Sequence, residues 1–261
     1  MSEIIVVGGG LAGTEAAFQL AQRGHRVVLY EMRPRVSTPA HQTDGLAELV
    51  CSNSFKSEEP ANAHGLLKAE LRQLGSLILQ VADAARVPAG AALAVDRELF
   101  SRGVGQVVEA HPNIRLCREE VRELPRAPAV IASGPLTSDA LGDSIRRRLG
   151  AESLYFYDAI SPIVSAESID ESKSFRASRY GKGRDDAYVN CPLTPEGYDI
   201  FHEALLSAEV YDTHDWDRVP YFEGCLPIEV LAARGKDTLR FGPLKPVGLE
   251  DPRSSATPYA V

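Results

Sequence analysis

The sequence lacks several features that would mark particular classes of protein. No apolar run approaches the ~18 residues that a membrane-spanning helix needs, and the chain opens on a strand pattern rather than on a basic and apolar leader. Its four cysteines, at positions 51, 117, 191 and 225, form no Cys-x-x-Cys pair and no metal spacing with the six histidines. These absences argue against a membrane span, a signal peptide, a disulfide framework and a zinc site. We therefore expect a cytoplasmic protein without a bound metal.

Positive charge is not in excess either. The chain has 28 Lys and Arg against 36 Asp and Glu, a net charge of −8, so as a whole it does not attract nucleic acid. One segment is a local exception, because it mixes basic and aromatic residues that can neutralise phosphates and stack on bases. Its basic residues are Lys173, Arg176, Arg179, Lys182 and Arg184. The alternative is a solvated loop rich in charge, which the spacing alone favours.

The first thirty-one residues carry the strongest motif. Four apolar residues, 4–7, lead into Gly-x-Gly-x-x-Gly, a helical run and a second apolar strand that ends at Glu31. This pattern predicts a dinucleotide site, with the pyrophosphate at the helix N-terminus and Glu31 accepting hydrogen bonds from a ribose. The motif alone leaves FAD and NAD open, and the alternative is an ordinary glycine-rich turn. The predicted cofactor-binding residues are Gly8, Gly9, Gly10, Leu11, Ala12, Gly13, Glu31, Arg33 and Gly134.

Later segments continue an alternation of strands and helices. Apolar periodicity predicts one long helix over residues 62–85, and Asp96 is the predicted N-cap of a helix over 97–111. Short strands are predicted at 114–117 and 119–124, and a buried strand over 129–134. Because that last strand ends on glycine, we expect it to meet the cofactor at the carboxyl edge of the sheet. A polar stretch over residues 36–45 is too long for a simple turn and is expected to be functional.

The predicted fold class is α/β: a Rossmann-like dinucleotide-binding domain with an inserted α+β domain. The resemblance described below implies that the first of these is an FAD-binding domain of the glutathione-reductase type. The insertion is inferred because the alternation becomes irregular beyond Tyr157. A continuation of the doubly wound sheet is the alternative. We place the first domain at residues 1–156, the inserted domain, which contains the basic segment and is a candidate for nucleic-acid binding, at 157–245, and the start of a return to the first domain at 246–261.

Two cysteines lie in settings that suit a nucleophile. Cys51 lies in a polar cluster after the long loop, and Cys225 follows Gly224 in a segment with the composition of a tight turn. A thiol is a natural nucleophile toward an electron-poor carbon when positive neighbours or backbone dipoles lower its pKa. For an arbitrary cysteine, a small buried filler is the commoner role. We expect that role for Cys117 and Cys191.

Several segments together resemble the folate- and FAD-dependent tRNA (uracil-5-)-methyltransferases, and the resemblance runs from end to end. The later motifs are more specific than the glycine fingerprint, which many flavoproteins share. The matching segments are residues 8–13, 30–34, 49–54, 94–97, 132–138, 175–183, 190–193, 222–229 and 240–249.

The resemblance implies methylation of C5 of the T-loop uridine in tRNA. The one-carbon unit would come from 5,10-methylenetetrahydrofolate and be relayed through FAD, with NADH or NADPH as reductant. By the same resemblance, Cys225 would attack C6 of the uracil, and Cys51 would lie close to the flavin as a base or as protection for a reactive adduct. The inserted domain at 157–245 then becomes a candidate for tRNA binding, with contacts expected from Lys173, Arg176, Arg179, Lys182 and Arg184.

Members of this family continue past the position that matches Val261, so we expect a truncated chain. Two other interpretations stay open on the sequence. One is a catalytically inactive fragment that binds nucleotide or tRNA, and the other is a generic FAD or NAD(P) oxidoreductase that acts on a small molecule.

Overall fold

The computed structural model describes residues 3–50, 52–150, 164–181, 188–209 and 226–261. The chain divides into two compact units: unit 1 comprises residues 1–87 and 93–160, and unit 2 comprises residues 88–92 and 161–261. Each unit has a hydrophobic core of its own.

Strands and helices alternate through the first 150 residues. In chain order they are β1 (Glu3–Val7), α1 (Leu11–Gln22), β2 (Arg26–Tyr30), β3 (Ser54–Ser57), α2 (Ala63–Gln73), α3 (Leu77–Ala84), β4 (Arg86–Val87), β5 (Ala92–Val95), α4 (Arg97–Ala110), β6 (Ile114–Cys117), β7 (Ala129–Ile131) and α5 (Asp139–Leu149).

The main sheet has four parallel strands in the order β6-β2-β1-β7. Numbered by their succession in this sheet, the strands run 3-2-1-4, the beginning of the Rossmann order. The order reverses between β1 and β7, and in such sheets ligands bind beyond the carboxyl ends of the strands at this reversal. Val7 pairs with Tyr30 on one side and with Ile131 on the other, so three strands end at one level. The α/β class is confirmed.

Helices cover both faces of this sheet. On one face, residues of α1, α3 and α4 share a core with Val6 and Leu29, including Ala17, Leu77 and Val104. On the other face, α5 contributes Leu141 and Ile145, which pack with Val7. Neighbouring residues of β1 therefore point to opposite layers, as the two-residue period of a strand requires. This packing holds the end of β1 rigidly where the glycine turn begins.

Three local predictions were wrong. The helix predicted over 62–85 is two helices, because Gly75 adopts a φ of +72° and Ser76 caps α3 by accepting a hydrogen bond from Leu79 N at 3.3 Å. Residues 119–124 form no strand; instead Leu124 N donates to Ser144 Oγ of α5 at 3.0 Å. The strand predicted as buried over 129–134 is short and its Val130 is 38% exposed, because β7 lies at the edge of the sheet.

The predicted N-cap of α4 was confirmed. Asp96 caps α4 by accepting hydrogen bonds from Glu98 N at 3.0 Å and Leu99 N at 2.9 Å. Gly150 ends α5 in the left-handed conformation that a glycine C-cap supplies.

Unit 2 combines short strands with helices. Its elements are β8 (Phe175–Arg176), β9 (Val189–Asn190), α6 (Pro195–Ser207), α7 (Ile228–Ala233) and α8 (Thr238–Phe241). The two strands pair antiparallel. Tyr198, Ala232, Leu239 and Ala260 form the buried core.

The C-terminal residues pack within unit 2. Leu193 N donates to Ala260 O at 2.8 Å, and residues 246–261 fall inside this unit, whereas the predicted division placed them with the first domain. The role predicted for the inserted domain stays a prediction. None of the helices in the described ranges is long and apolar enough to span a membrane.

Candidate functional site

A cleft of about 270 Å³ lies beyond the carboxyl ends of the main sheet in unit 1. The ends of β1, β2 and β7 and the segment after β6 all contribute to its walls, at the point where the strand order reverses. Its lining comprises residues 7–12, 30–33, 119–121 and 132–138, together with Thr38, His41, Glu48, Val50 and Leu141.

The glycine turn between β1 and α1 forms the floor of the cleft, and it demands glycine at two positions. Gly8 has a φ of +108°, and a Cβ there would lie 2.4 Å from Ala132 O. A Cβ on Gly13 would lie 1.8 Å from Gly8 O, so only glycine lets α1 approach the turn. Gly8 and Gly13 are therefore required by the shape of the turn, because any side chain there would clash with the backbone.

None of the described side chains caps the N-terminus of α1. Gly10 is the N-cap, and no acidic residue lies in the first turn of the described helix. Gly10 also lines the cleft, and a Cβ built there would meet no protein atom within 4 Å. Free N–H groups and the positive end of the helix dipole therefore adjoin open space, which suits a pyrophosphate.

Glu31 is buried beside this turn with both carboxylate oxygens engaged. Its Oε2 accepts a hydrogen bond from Gly9 N at 2.9 Å, and its Oε1 accepts from Arg33 N and Arg33 Nε, each at 2.9 Å. Burial raises the pKa of Glu31, but the hydrogen bonds from Arg33 and Gly9 and the charge of Arg33 outweigh it, so the pKa lies below its ordinary value. Glu31 is therefore an anion with acceptor capacity left on Oε2.

Arg33 joins Glu31 to a second carboxylate. Its Nη1 donates to Glu48 Oε2 at 2.7 Å and to Thr43 O at 3.1 Å. The three side chains are buried or nearly so, with 4–14% of each exposed. We call Glu31, Arg33 and Glu48 the cleft network.

Two further segments complete the walls. Beyond β7, Thr137 Oγ1 donates to Gly134 O at 2.7 Å and lies 2.6 Å from Ser133 Oγ, which holds this segment in a tight turn. In the loop after β2, Thr38 Oγ1 lies 2.6 Å from His41 Nδ1. Hydroxyl and imidazole groups therefore line the cleft beside the charged cleft network, and apolar residues and glycines form much of the remaining lining.

These residues fit a dinucleotide cofactor. The helix N-terminus and the space at Gly10 suit the pyrophosphate, and the ionised Glu31 can accept a hydrogen bond from a ribose hydroxyl. Of the predicted cofactor-binding residues, all line the cleft except Gly13, which is buried beneath the turn. Their contacts with a cofactor stay predictions.

Sequence reasoning missed Glu48 and assigned no role to Thr38 or His41. The length of the loop over 36–45 was the signal for the latter two. Glu48 carries no such signal, because an isolated Glu beside apolar residues has many possible roles and its partner lies fifteen residues earlier.

The predicted cysteine sites are only partly visible. Cys51 and Cys225 lie outside the described residues, although Val50, the residue before Cys51, lines the cleft. Cys117 is half-buried, and its Sγ accepts a hydrogen bond from Arg115 Nη1 at 3.0 Å. Cys191 is exposed, so its predicted role as a buried filler was wrong; it lies in the loop between β9 and α6.

The basic segment belongs to unit 2, and Lys182 and Arg184 lie outside the described residues. Lys173 is exposed and pairs with Asp170 at 3.4 Å, and Arg176 is exposed on β8. Arg179 donates from Nη1 to Val247 O at 2.9 Å, so part of its donor capacity holds the C-terminal segment.

Within the described ranges, no group of three or more His, Cys, Asp and Glu side chains could hold a metal ion.

Comparison with known proteins places the chain among relatives of much greater length. A curated relative from Geobacter sulfurreducens, named methylenetetrahydrofolate–tRNA-(uracil-5-)-methyltransferase TrmFO, is 61% identical over 259 residues, or 99% of this chain and 59% of the relative. One of the same name from Aquifex aeolicus is 58% identical over 260 residues and is covered to 58%. The chain thus spans less than two thirds of the length of these curated relatives.

Among solved structures, that of Aquifex aeolicus GidA in the form II crystal matches 96% of this chain and 48% of its own, with a TM-score of 0.59 and 17% identity. At that identity the match shows the fold alone. The family model described as glucose inhibited division protein A matches residues 3–257. Since this match covers nearly the whole sequence, the chain belongs to the family of glucose inhibited division protein A.

Proposed function

We propose that this chain carries the FAD site of an enzyme that methylates C5 of the T-loop uridine in tRNA and so forms 5-methyluridine. The one-carbon unit would come from 5,10-methylenetetrahydrofolate, with NADH or NADPH as reductant. The observation that carries the proposal is the cleft between the glycine turn and Glu31, in a chain about 60% identical to relatives named methylenetetrahydrofolate–tRNA-(uracil-5-)-methyltransferase.

When bound, FAD supplies the relay of the one-carbon unit and its reduction. The chain's own residues bind and orient the cofactor. Residues 10–13 at the N-terminus of α1 would offer backbone N–H groups to the pyrophosphate, and Glu31 would accept a hydrogen bond from the adenosine ribose. The mostly apolar walls limit the access of water to the bound ligand.

Two thiols would act on the uracil side. The Cys225 thiolate would add to C6 of the uracil, which moves an electron pair toward C5 and makes C5 nucleophilic. Cys51, adjacent in the chain to the cleft-lining Val50, would act as a base or protect a reactive adduct. Both roles come from the family resemblance.

The basic residues of unit 2 would hold the tRNA. Lys173 and Arg176 are exposed, which suits phosphate contact, and Lys182 and Arg184 continue the same segment. Because tRNA is the substrate, we place the reaction in the cytoplasm.

Two measurements on the purified chain test the proposal. FAD titration followed by flavin fluorescence should show one site per chain. Incubation of the FAD-loaded chain with tRNA that contains 5-fluorouracil should give a covalent adduct that survives denaturing electrophoresis. Cys225→Ala should lose the adduct, and Cys191→Ala is the matched control, because Cys191 is an exposed cysteine of unit 2 that should be dispensable.

The outcomes separate the interpretations. Absence of FAD binding would contradict the cofactor site, whereas FAD binding without any adduct would favour a binding fragment. Turnover of a small substrate without tRNA would favour a general oxidoreductase.

A further inference from the structure

We infer that Arg33 and Glu48 are positioning residues that make the cleft accept an adenosine with a free 2′-hydroxyl and reject one with a 2′-phosphate. The inference rests on the proposed dinucleotide site. It goes beyond that site because it gives Arg33 and Glu48 a role exerted through Glu31 and through the loop wall.

An arginine soon after the second strand of a Rossmann sheet commonly serves as the receptor of a 2′-phosphate. Arg33 stands two residues after Glu31 and lines the cleft, so its position alone is compatible with that role. Its contacts argue against it. The guanidinium is bound by Glu31 Oε1 at 2.9 Å and by Glu48 Oε2 at 2.7 Å.

The charge balance of the cleft network decides what it will accept. Two carboxylates surround one guanidinium, so the network is a net anion of one charge beside the place where the ribose would lie. A 2′-phosphate would bring further negative charge against it in a poorly solvated setting. A neutral hydroxyl can instead donate to the remaining lone pair of Glu31 Oε2.

Glu48 also fixes the wall of the cleft. Its carboxylate accepts hydrogen bonds from Gln42 N at 2.9 Å, Thr43 N at 3.2 Å and Thr43 Oγ1 at 3.0 Å. The same loop returns to the glycine turn, because Ala47 N donates to Gly9 O at 2.8 Å.

These contacts close a ring. Gly9 N binds Glu31, Glu31 binds Arg33, Arg33 binds Glu48, and the loop that Glu48 anchors binds back to Gly9 O. The pose of Glu31 therefore depends on Arg33 and Glu48, although neither needs to touch the ligand.

The test compares two probes in each protein: ADP and its 2′-phosphorylated form, both titrated by calorimetry into the full chain. The wild-type chain should bind ADP at least about tenfold more tightly than the phosphorylated form, since like charges brought together cost this much or more. Glu48→Gln is close in shape to the native side chain and makes the network neutral. It should narrow the ratio of the two dissociation constants by about tenfold.

Two further variants keep the interpretation clear. Arg33→Lys preserves the charge but not the two hydrogen bonds of the guanidinium to the two carboxylates. It should therefore weaken the binding of ADP by about tenfold and leave the ratio of the two dissociation constants nearly unchanged. Glu58→Gln is the matched control: Glu58 pairs with Arg72 and Arg86 away from the cleft lining, and its loss should alter neither affinity nor ratio.

The ratio is measured within one protein, so partial misfolding of a variant, which weakens both probes equally, cannot mimic the effect. An unchanged ratio in Glu48→Gln, with ADP bound by the wild-type chain, would overturn this inference and leave the proposed function standing. Failure of the wild-type chain to bind ADP or FAD would overturn both.

Discussion

Two groups of ion pairs in unit 1 use the same side-chain types in different surroundings. The cleft network of Glu31, Arg33 and Glu48 is buried and carries an excess negative charge. The other group, which we call the helix network, joins Glu58, Arg72, Asp83 and Arg86 between α2, α3 and neighbouring segments. Its charges balance, and 25–43% of each side chain is exposed.

The difference in burial and charge balance suits the cleft network to ligand recognition and the helix network to a structural role. In the helix network, hydrogen bonds to Arg72 and Arg86 lower the pKa values of Asp83 and Glu58 despite partial burial, and solvent screens the charges. In the cleft network, burial opposes ionisation most strongly, and Arg33 is needed to keep Glu31 charged. A buried network with unbalanced charge costs stability and is expected where a ligand must be recognised.

The largest difference in stability between the two networks should appear when the central arginine of each is removed. Arg33→Met leaves two buried carboxylates facing each other, so the free energy of unfolding should fall by about 3–5 kcal/mol. Arg72→Met removes a partly exposed arginine and should cost about 1 kcal/mol. Urea unfolding followed by circular dichroism measures both, and equal losses would show that burial does not distinguish the networks.

Acid should weaken both networks, because the pKa values of Glu31, Glu58 and Asp83 all lie below their ordinary values. The pKa of Glu31 in the folded chain lies below its ordinary value of 4.5, so its stabilising contribution is complete above about pH 4.5 and is lost as the pH falls through the lowered pKa. Wild-type stability should therefore drop toward that of Glu31→Gln as the solution is acidified below this value. The matched comparison is Glu58→Gln, whose pKa shift has the same direction. If the difference in unfolding free energy between wild type and Glu31→Gln grew as the pH fell, the lowered pKa of Glu31 would be contradicted.

The smallest expected difference between the two networks is in how salt changes the stability cost of a substitution. At low ionic strength Glu58→Gln should cost about 0.5 kcal/mol, and about 1 M salt should remove most of that difference, because it screens exposed charges. The cost of Glu48→Gln should change little, because Glu48 is largely buried. Thermal unfolding at the two ionic strengths measures both, and equal sensitivity to salt would mean that the cleft network is solvated.

The sequence predicted the part of the site that is local in the chain. The strand, the glycine turn, α1 and β2 follow one another within thirty residues, so spacing alone brings Glu31 to the turn. Apolar periodicity predicted one continuous helix where the structure has two, separated at Gly75-Ser76. The apolar pattern carries no information about a left-handed glycine followed by an N-cap.

The rest of the site depends on contacts that no local pattern encodes. Glu48 reaches Arg33 because the intervening loop folds back through Thr43 and Ala47. Residues 119–121 line the cleft in an irregular segment, although a short strand was predicted over 119–124. The Cys51 and Cys225 predictions stay untested, because both residues lie outside the described part of the chain.

Hydrogen–deuterium exchange of the chain with and without FAD tests the central claim most directly. If FAD occupies the cleft, its binding should slow the exchange of backbone amides in residues 8–12, 30–33 and 132–138, while the amides of α6 serve as the reference. Bound FAD with unchanged exchange in these three segments, or with protection confined to other segments, would contradict the assignment of the cleft as the cofactor site.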